Sequence, residues 1–143
     1  MRILFLAPHL STGGMPAFLL RRIQELKAYD NSNEIFVAEW TNYSDTFTVQ
    51  KNKIKELVGE SNYICLGQLD EEPETHFNNR IKLLDKCYEW SIDIIHIDEI
   101  PEGFDSFSPF PLELQKHLYD SNHPWRIVET CHNIWFEPNK MKK

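Results

Sequence analysis

Near the amino terminus, Arg2 to Ala7 (Arg-Ile-Leu-Phe-Leu-Ala) is an almost wholly apolar run of strand length that stops at Pro8. Such a run has no wet face, so it suits a strand covered on both sides, the condition of a parallel sheet in an α/β protein. The next segment, His9 to Gly14, holds Ser11, Thr12 and two glycines. Beyond it Met15, Phe18, Leu19, Ile23 and Leu26 recur at helical spacing. Strand, glycine-containing turn and amphipathic helix follow one another.

The alternation continues. Glu34 to Trp40 reads as a second strand, Gln50 to Val58 as a helix and Asn62 to Leu66 as a third strand. In Glu74 to Trp90, Phe77, Ile81, Leu84 and Tyr88 fall on one helical stripe, and Asp93 to Ile97 gives a compact fourth strand. A turn-rich stretch with Pro101, Gly103, Pro109 and Pro111 leads to a helix from Pro111 to Tyr119, proline being well placed in a first helical turn. Trp125 to Thr130 is the fifth strand. The expected fold is a Rossmann-like, doubly wound parallel sheet in three α/β/α layers. Right-handed crossovers set strands four and five on the far side of strand one from two and three.

A chain of 143 residues is expected to form a single domain, residues 1–143, and needs no metal or disulfide to bury a core. The formal charge of −7 opposes the counterion release that drives nucleic-acid binding, so nucleic acid is not an expected partner. Lys140, Lys142 and Lys143 read as a solvated chain end. Cys65, Cys87 and Cys131 lack CxxC spacing and suit reduced thiols. The apolar start is too short for a signal-peptide core or a membrane span, which gives a cytoplasmic expectation.

In open parallel sheets ligands bind beyond the carboxyl ends of the strands, where strand order reverses. Three polar segments converge there: His9 to Gly14 after strand one, His96 to Glu99 at the end of strand four, and Cys131 to Asn133 after strand five. Gly13 and Gly14 let backbone amides approach a phosphate at the positive end of the first helix. The GxGxxG and GxxxxGK[ST] patterns are both missing, so NAD and ATP are not implied. His9, His96 and His132 can donate a hydrogen bond, move a proton or bind a metal. Asp98, Glu99, Glu102 and Asp105 read as an acidic loop able to hold hydroxyls or a cation. His76, His117 and His123 lie away from this edge.

Three stretches, RILFLAPHLSTGGMPAFLLRRIQEL, DIIHID and RIVETCHNIWFEP, resemble in this order parts of the amino-terminal lobe of a GT-B glycosyltransferase, close to the family 4 group. They match that lobe's first strand, double-glycine loop and first helix, then its fourth strand, then its fifth strand and histidine loop. The resemblance implies a retaining enzyme that uses a nucleotide-sugar donor and a glycan or other hydroxyl acceptor, with no metal or other cofactor. It places Gly13 and Gly14 near the donor diphosphate and matches His132 to the histidine that contacts the transferred sugar. It matches His96 to a frequent polar position at the end of strand four and sets Asn133 where relatives often carry aspartate; His9 and Asp98, placed by position, join them as candidate substrate-binding residues. The second lobe of such enzymes, with its paired glutamates, finds no counterpart in the sequence. An incomplete GT-B lobe is therefore expected, inactive alone and prone to pair with a second lobe or with itself. Two other readings stand beside it: a non-catalytic glycan- or phosphate-binding module, and a metal-dependent hydrolase using His9, His96, Asp98 and His132.

Overall fold

The computed structural model describes residues 1–11, 13–68, 71–98 and 110–130. Among these residues five strands, β1 (Arg2–Ala7), β2 (Glu34–Glu39), β3 (Tyr63–Cys65), β4 (Ile94–Asp98) and β5 (Arg126–Thr130), form one parallel sheet in the order β3-β2-β1-β4-β5. Among the described residues four α-helices lie between them: α1 (Gly14–Tyr29), α2 (Val49–Val58), α3 (Pro73–Glu89) and α4 (Leu112–Leu118). The chain starts in the middle of the sheet, winds outward through β2 and β3, returns across β1 and continues outward through β4 and β5. This is the side-by-side placement that right-handed crossovers dictate.

Strand alternation divides the core into two layers. Ile3, Phe5 and Ala7 of β1 join Ile35 and Val37 of β2 under Met15, Leu19 and Ile23 of α1 and Ile54 and Val58 of α2. Leu4 and Leu6 face the other way, with Phe36, Ala38 and Trp40, against Leu83 and Cys87 of α3 and Leu114 and Leu118 of α4. Leu4, Phe5, Leu6 and Ala7 are entirely buried. Burial of each large side chain among them contributes about 1.5–3 kcal/mol, which explains why this run has no polar position.

Helix ends have local causes. Asp30 caps α1, its amide bonding the Leu26 carbonyl at 3.1 Å, and its Oδ1 accepts the Ser32 amide at 2.9 Å. The Ser32 bonds hold the exposed Asp30 carboxyl below the usual carboxylate range. Lys27, in the last turn where a cation suits the helix dipole, donates to the Leu57 carbonyl at 2.5 Å and joins α1 to α2.

Several expectations need correction. The face of α3 turned to the sheet carries Arg80, Leu83 and Cys87, whereas Phe77 and Tyr88 of the expected stripe are exposed. Ile81 and Leu84 sit only on its flank. The fourth strand runs one residue later than expected and takes in Asp98, which is fully buried and so is not part of an acidic loop. Strand three is shortened to three residues because Glu60–Asn62 forms a 3₁₀ turn, and Pro111 caps α4 instead of opening it. No helix among the described residues is long and apolar enough to cross a membrane.

Candidate functional site

Strand order reverses between β1 and β4, where Leu6 pairs Ile97. The segment leaving β1 and the end of β4 at Asp98 therefore meet at one sheet edge. Gly13 caps α1 with φ 108 and ψ −172, a backbone state that L side chains rarely adopt. Having no side chain, Gly13 offers no capping acceptor, and the first turn of α1 carries no acidic residue. Pro16 contributes no N–H, which leaves the Gly14 and Met15 amides as leading donors at the positive end of the helix. A Cβ added at either glycine would meet nothing within 4 Å, so the space above the turn is open.

The stem of this loop is firmly held. The amides of Trp40 and Thr41 bond the carbonyls of Ala7 (2.8 Å) and Pro8 (3.0 Å), continuing the β1–β2 pairing past both strand ends. The Leu10 side chain is fully buried in the α1/α2 layer. The half-buried His9 has its Nδ1 3.2 Å from Ser11 Oγ and its ring 4.9 Å from that of Tyr43.

His96 and Asp98 project to the α1 face of β4, two residues apart on the pleat. The His96 ring lies 5.0 Å from Phe5, its Nε2 stands 2.6 Å from Thr130 Oγ1 of β5 and 3.4 Å from Asp98 Oδ1. At 3% and 0% exposure these two groups form a buried floor beneath this sheet edge. Thr130 completes the floor from β5, through register with Asp98.

A second polar group, not anticipated from sequence, lies beside the first. Glu39, at the end of β2, is fully buried. Its Oε1 accepts the Leu10 amide at 2.8 Å, and its Oε2 accepts Lys51 Nζ and Tyr63 Oη, each at 2.6 Å. Lys51 also donates to Asn42 Oδ1 at 3.1 Å. Burial, reinforced by the Glu39 charge, raises the Tyr63 phenol far above its ordinary value and keeps it a donor. Burial likewise pushes up the thiol of Cys65, whose Sγ contacts the Gly67 carbonyl at 3.2 Å. One signal was available: a carboxylate directly after the apolar run Ile35-Phe36-Val37-Ala38.

The structure thus brings His9, Gly13, Gly14, His96 and Asp98 to the same sheet edge. His132, Asn133, Glu99, Glu102 and Asp105 lie outside the described residues. His117 and His123, set aside from sequence, line a separate cleft of about 350 Å³ with Ile81, Leu84 and Tyr88. Trp125 is buried with its ring stacked on His123 at 4.3 Å, a core position. Among the described residues no group of three or more His, Cys, Asp or Glu side chains could hold a metal ion, so the hydrolase reading gains no support from His9, His96 and Asp98. Comparison with protein-family models, curated proteins and solved structures finds no significant match, so the fold is described as a generic Rossmann-like α/β sheet.

Proposed function

We propose that the chain is the amino-terminal, acceptor-side lobe of a retaining GT-B glycosyltransferase, close to family 4, that uses a nucleotide-sugar donor. One observation carries this reading: an open glycine turn enters α1 at the edge where strand order reverses between β1 and β4. Amides at a helix start suit a diphosphate, and stabilising the charge on a departing nucleotide is the most useful contribution such a turn can make. In this reading Gly13 and Gly14 approach the donor diphosphate. His132, just past β5, orients the sugar or the attacking hydroxyl. His9 and Asn133 contact substrate, while His96 and Asp98 underlie it. The other half of the crevice belongs to a second lobe, so this lobe alone turns nothing over.

The test is a titration of the ¹⁵N-labelled chain with uridine and guanosine diphosphates, coupled to an assay for nucleotide release from a panel of nucleotide sugars. Shifts centred on Gly13 and Gly14 without turnover are expected. Sustained turnover abolished by His132→Ala would overturn the single-lobe reading, and no shift at the turn would overturn the donor assignment. If free phosphate and nucleotide bind equally well, a phosphate-binding module becomes the better description, because the turn alone provides all the recognition.

A further inference from the structure

A dinucleotide-binding sheet places an acid at the end of its second strand to hold ribose hydroxyls. Glu39 occupies that place, yet it is fully buried and turned inward. Both of its oxygens are taken by donors from three separate parts of the fold: Leu10 from the loop after β1, Lys51 from α2 and Tyr63 from β3. A buried carboxylate is costly unless paired and hydrogen-bonded, and here every partner is supplied. The bond to Leu10 is the one that reaches the candidate site. It holds the chain at Leu10, ahead of the glycines, which have open space around them.

We infer that Glu39 is a positioning residue whose carboxylate, held by Lys51 and Tyr63, anchors the Leu10 amide and so fixes the amides of the glycine turn for an anionic phosphate. The inference rests on the phosphate role proposed above for that turn. Glu39 does not touch the ligand; it acts through the loop. Lys51 is its counter-charge, with Asn42 Oδ1 accepting from the same ammonium, so the ion pair spans β2 and α2 and closes the floor beneath Leu10.

The experiment measures Leu10 amide hydrogen exchange and inorganic pyrophosphate affinity in the wild-type chain, Glu39→Gln, Lys51→Met and the double variant Glu39→Gln/Lys51→Met. Glu39→Gln alone turns its single oxygen to the Lys51 ammonium and the Tyr63 hydroxyl and sets its amide nitrogen against the Leu10 amide, and is expected to speed Leu10 exchange and weaken pyrophosphate binding by about tenfold each, the worth of one charge-assisted bond. The double variant removes both charges, keeps an oxygen for the Leu10 amide and is expected to recover both readouts to within about threefold. Should Glu39→Gln fail to fold, Tyr63→Phe withdraws a single donor and is expected to shift both readouts in the same direction by about threefold. Unchanged Leu10 exchange in the folded variants would overturn the anchor. Faster exchange with unchanged pyrophosphate affinity would reduce Glu39 to a packing role and overturn the inference. Wild-type chain that does not bind pyrophosphate would instead overturn the phosphate reading, with Leu10 exchange still deciding the anchor.

Discussion

The guanidinium of Arg80 lies 4.6 Å from the centroid of the Trp40 ring, and its Nη2 donates to the Trp40 carbonyl at 2.9 Å and to Thr41 Oγ1 at 2.8 Å. One side chain of α3 thereby grips the carboxyl end of β2 through ring, carbonyl and hydroxyl together, with Nη1 reaching the Leu66 carbonyl at 3.4 Å.

Gly67 closes over this group. A Cβ at Gly67 would stand 2.4 Å from Arg80 Nη1. At 2% exposure and held by these bonds, the guanidinium has nowhere to swing. Gly67→Ala is expected to lower the free energy of unfolding by about 1–3 kcal/mol, as overpacking does in a filled interior. Urea denaturation measures it, and a loss below about 0.5 kcal/mol would show that Arg80 yields.

At the glycine turn, space and backbone make different demands. Gly14→Val adds a side chain where no atom lies within 4 Å, so thermal stability is expected to change little. Nucleoside diphosphate affinity is expected to fall about tenfold as the amides become screened from phosphate. His117→Ala, in the cleft between α3 and α4, is expected to leave affinity unchanged. Calorimetric titration of both variants checks the pair, and equal effects would defeat the site assignment.

Gly13→Ala makes the opposite demand. With φ at 108, Gly13 holds a state that an L side chain reaches only under strain. A stability loss of about 1–2 kcal/mol is expected even though the space is free. Thermal unfolding of Gly13→Ala beside Gly14→Val separates the two effects, and the ranking Gly13 above Gly14 is the expected outcome.

Alkaline pH probes the α3 layer. Burial pushes the Cys87 thiol from its ordinary 9.0 up to about 12. The folded state holds this proton more tightly than the unfolded chain, so its contribution is whole below pH 9.0 and declines as pH rises towards about 12. The slope is at most about 1.4 kcal/mol per pH unit. Tyr63, raised in the same direction, steepens the loss above its own ordinary 10.0. Cys87→Ala is expected to be less stable at neutral pH and to show a shallower decline between pH 9 and 10, measured by urea unfolding across that range. An unchanged slope would remove Cys87 as its source.

Sheet order and layers were legible because the strands are nearly continuous apolar runs and crossovers have one hand. The register of α3 was not. A period count sets Arg80 outward with the other charges, and only the carbonyls of Trp40 and Leu66 with the Thr41 hydroxyl, gathered by the fold, make its burial tolerable. Asp98 was misplaced for a related reason, because an acid after Ile97 reads as the start of a loop until its pairing with Thr130 is seen. The glycine turn announced itself through composition. Glu39 did not, since its partners Leu10, Lys51 and Tyr63 come from distant segments.

The central strand precedes both of its neighbours in the chain. During synthesis β1 emerges before any neighbour exists; it gains β2 on one side, then waits with its other edge bare until Ile94–Asp98 has been translated. The Arg2 amide and its partner Asp93 Oδ2, 2.7 Å apart, mark that late closure at the base of the sheet. For the whole interval Leu4, Phe5 and Leu6 present an unpaired apolar edge of the kind that recruits other chains. Strand order along the chain thus leaves the middle of the sheet half-paired until its fourth strand exists, an interval in which pairing with other chains competes with closure.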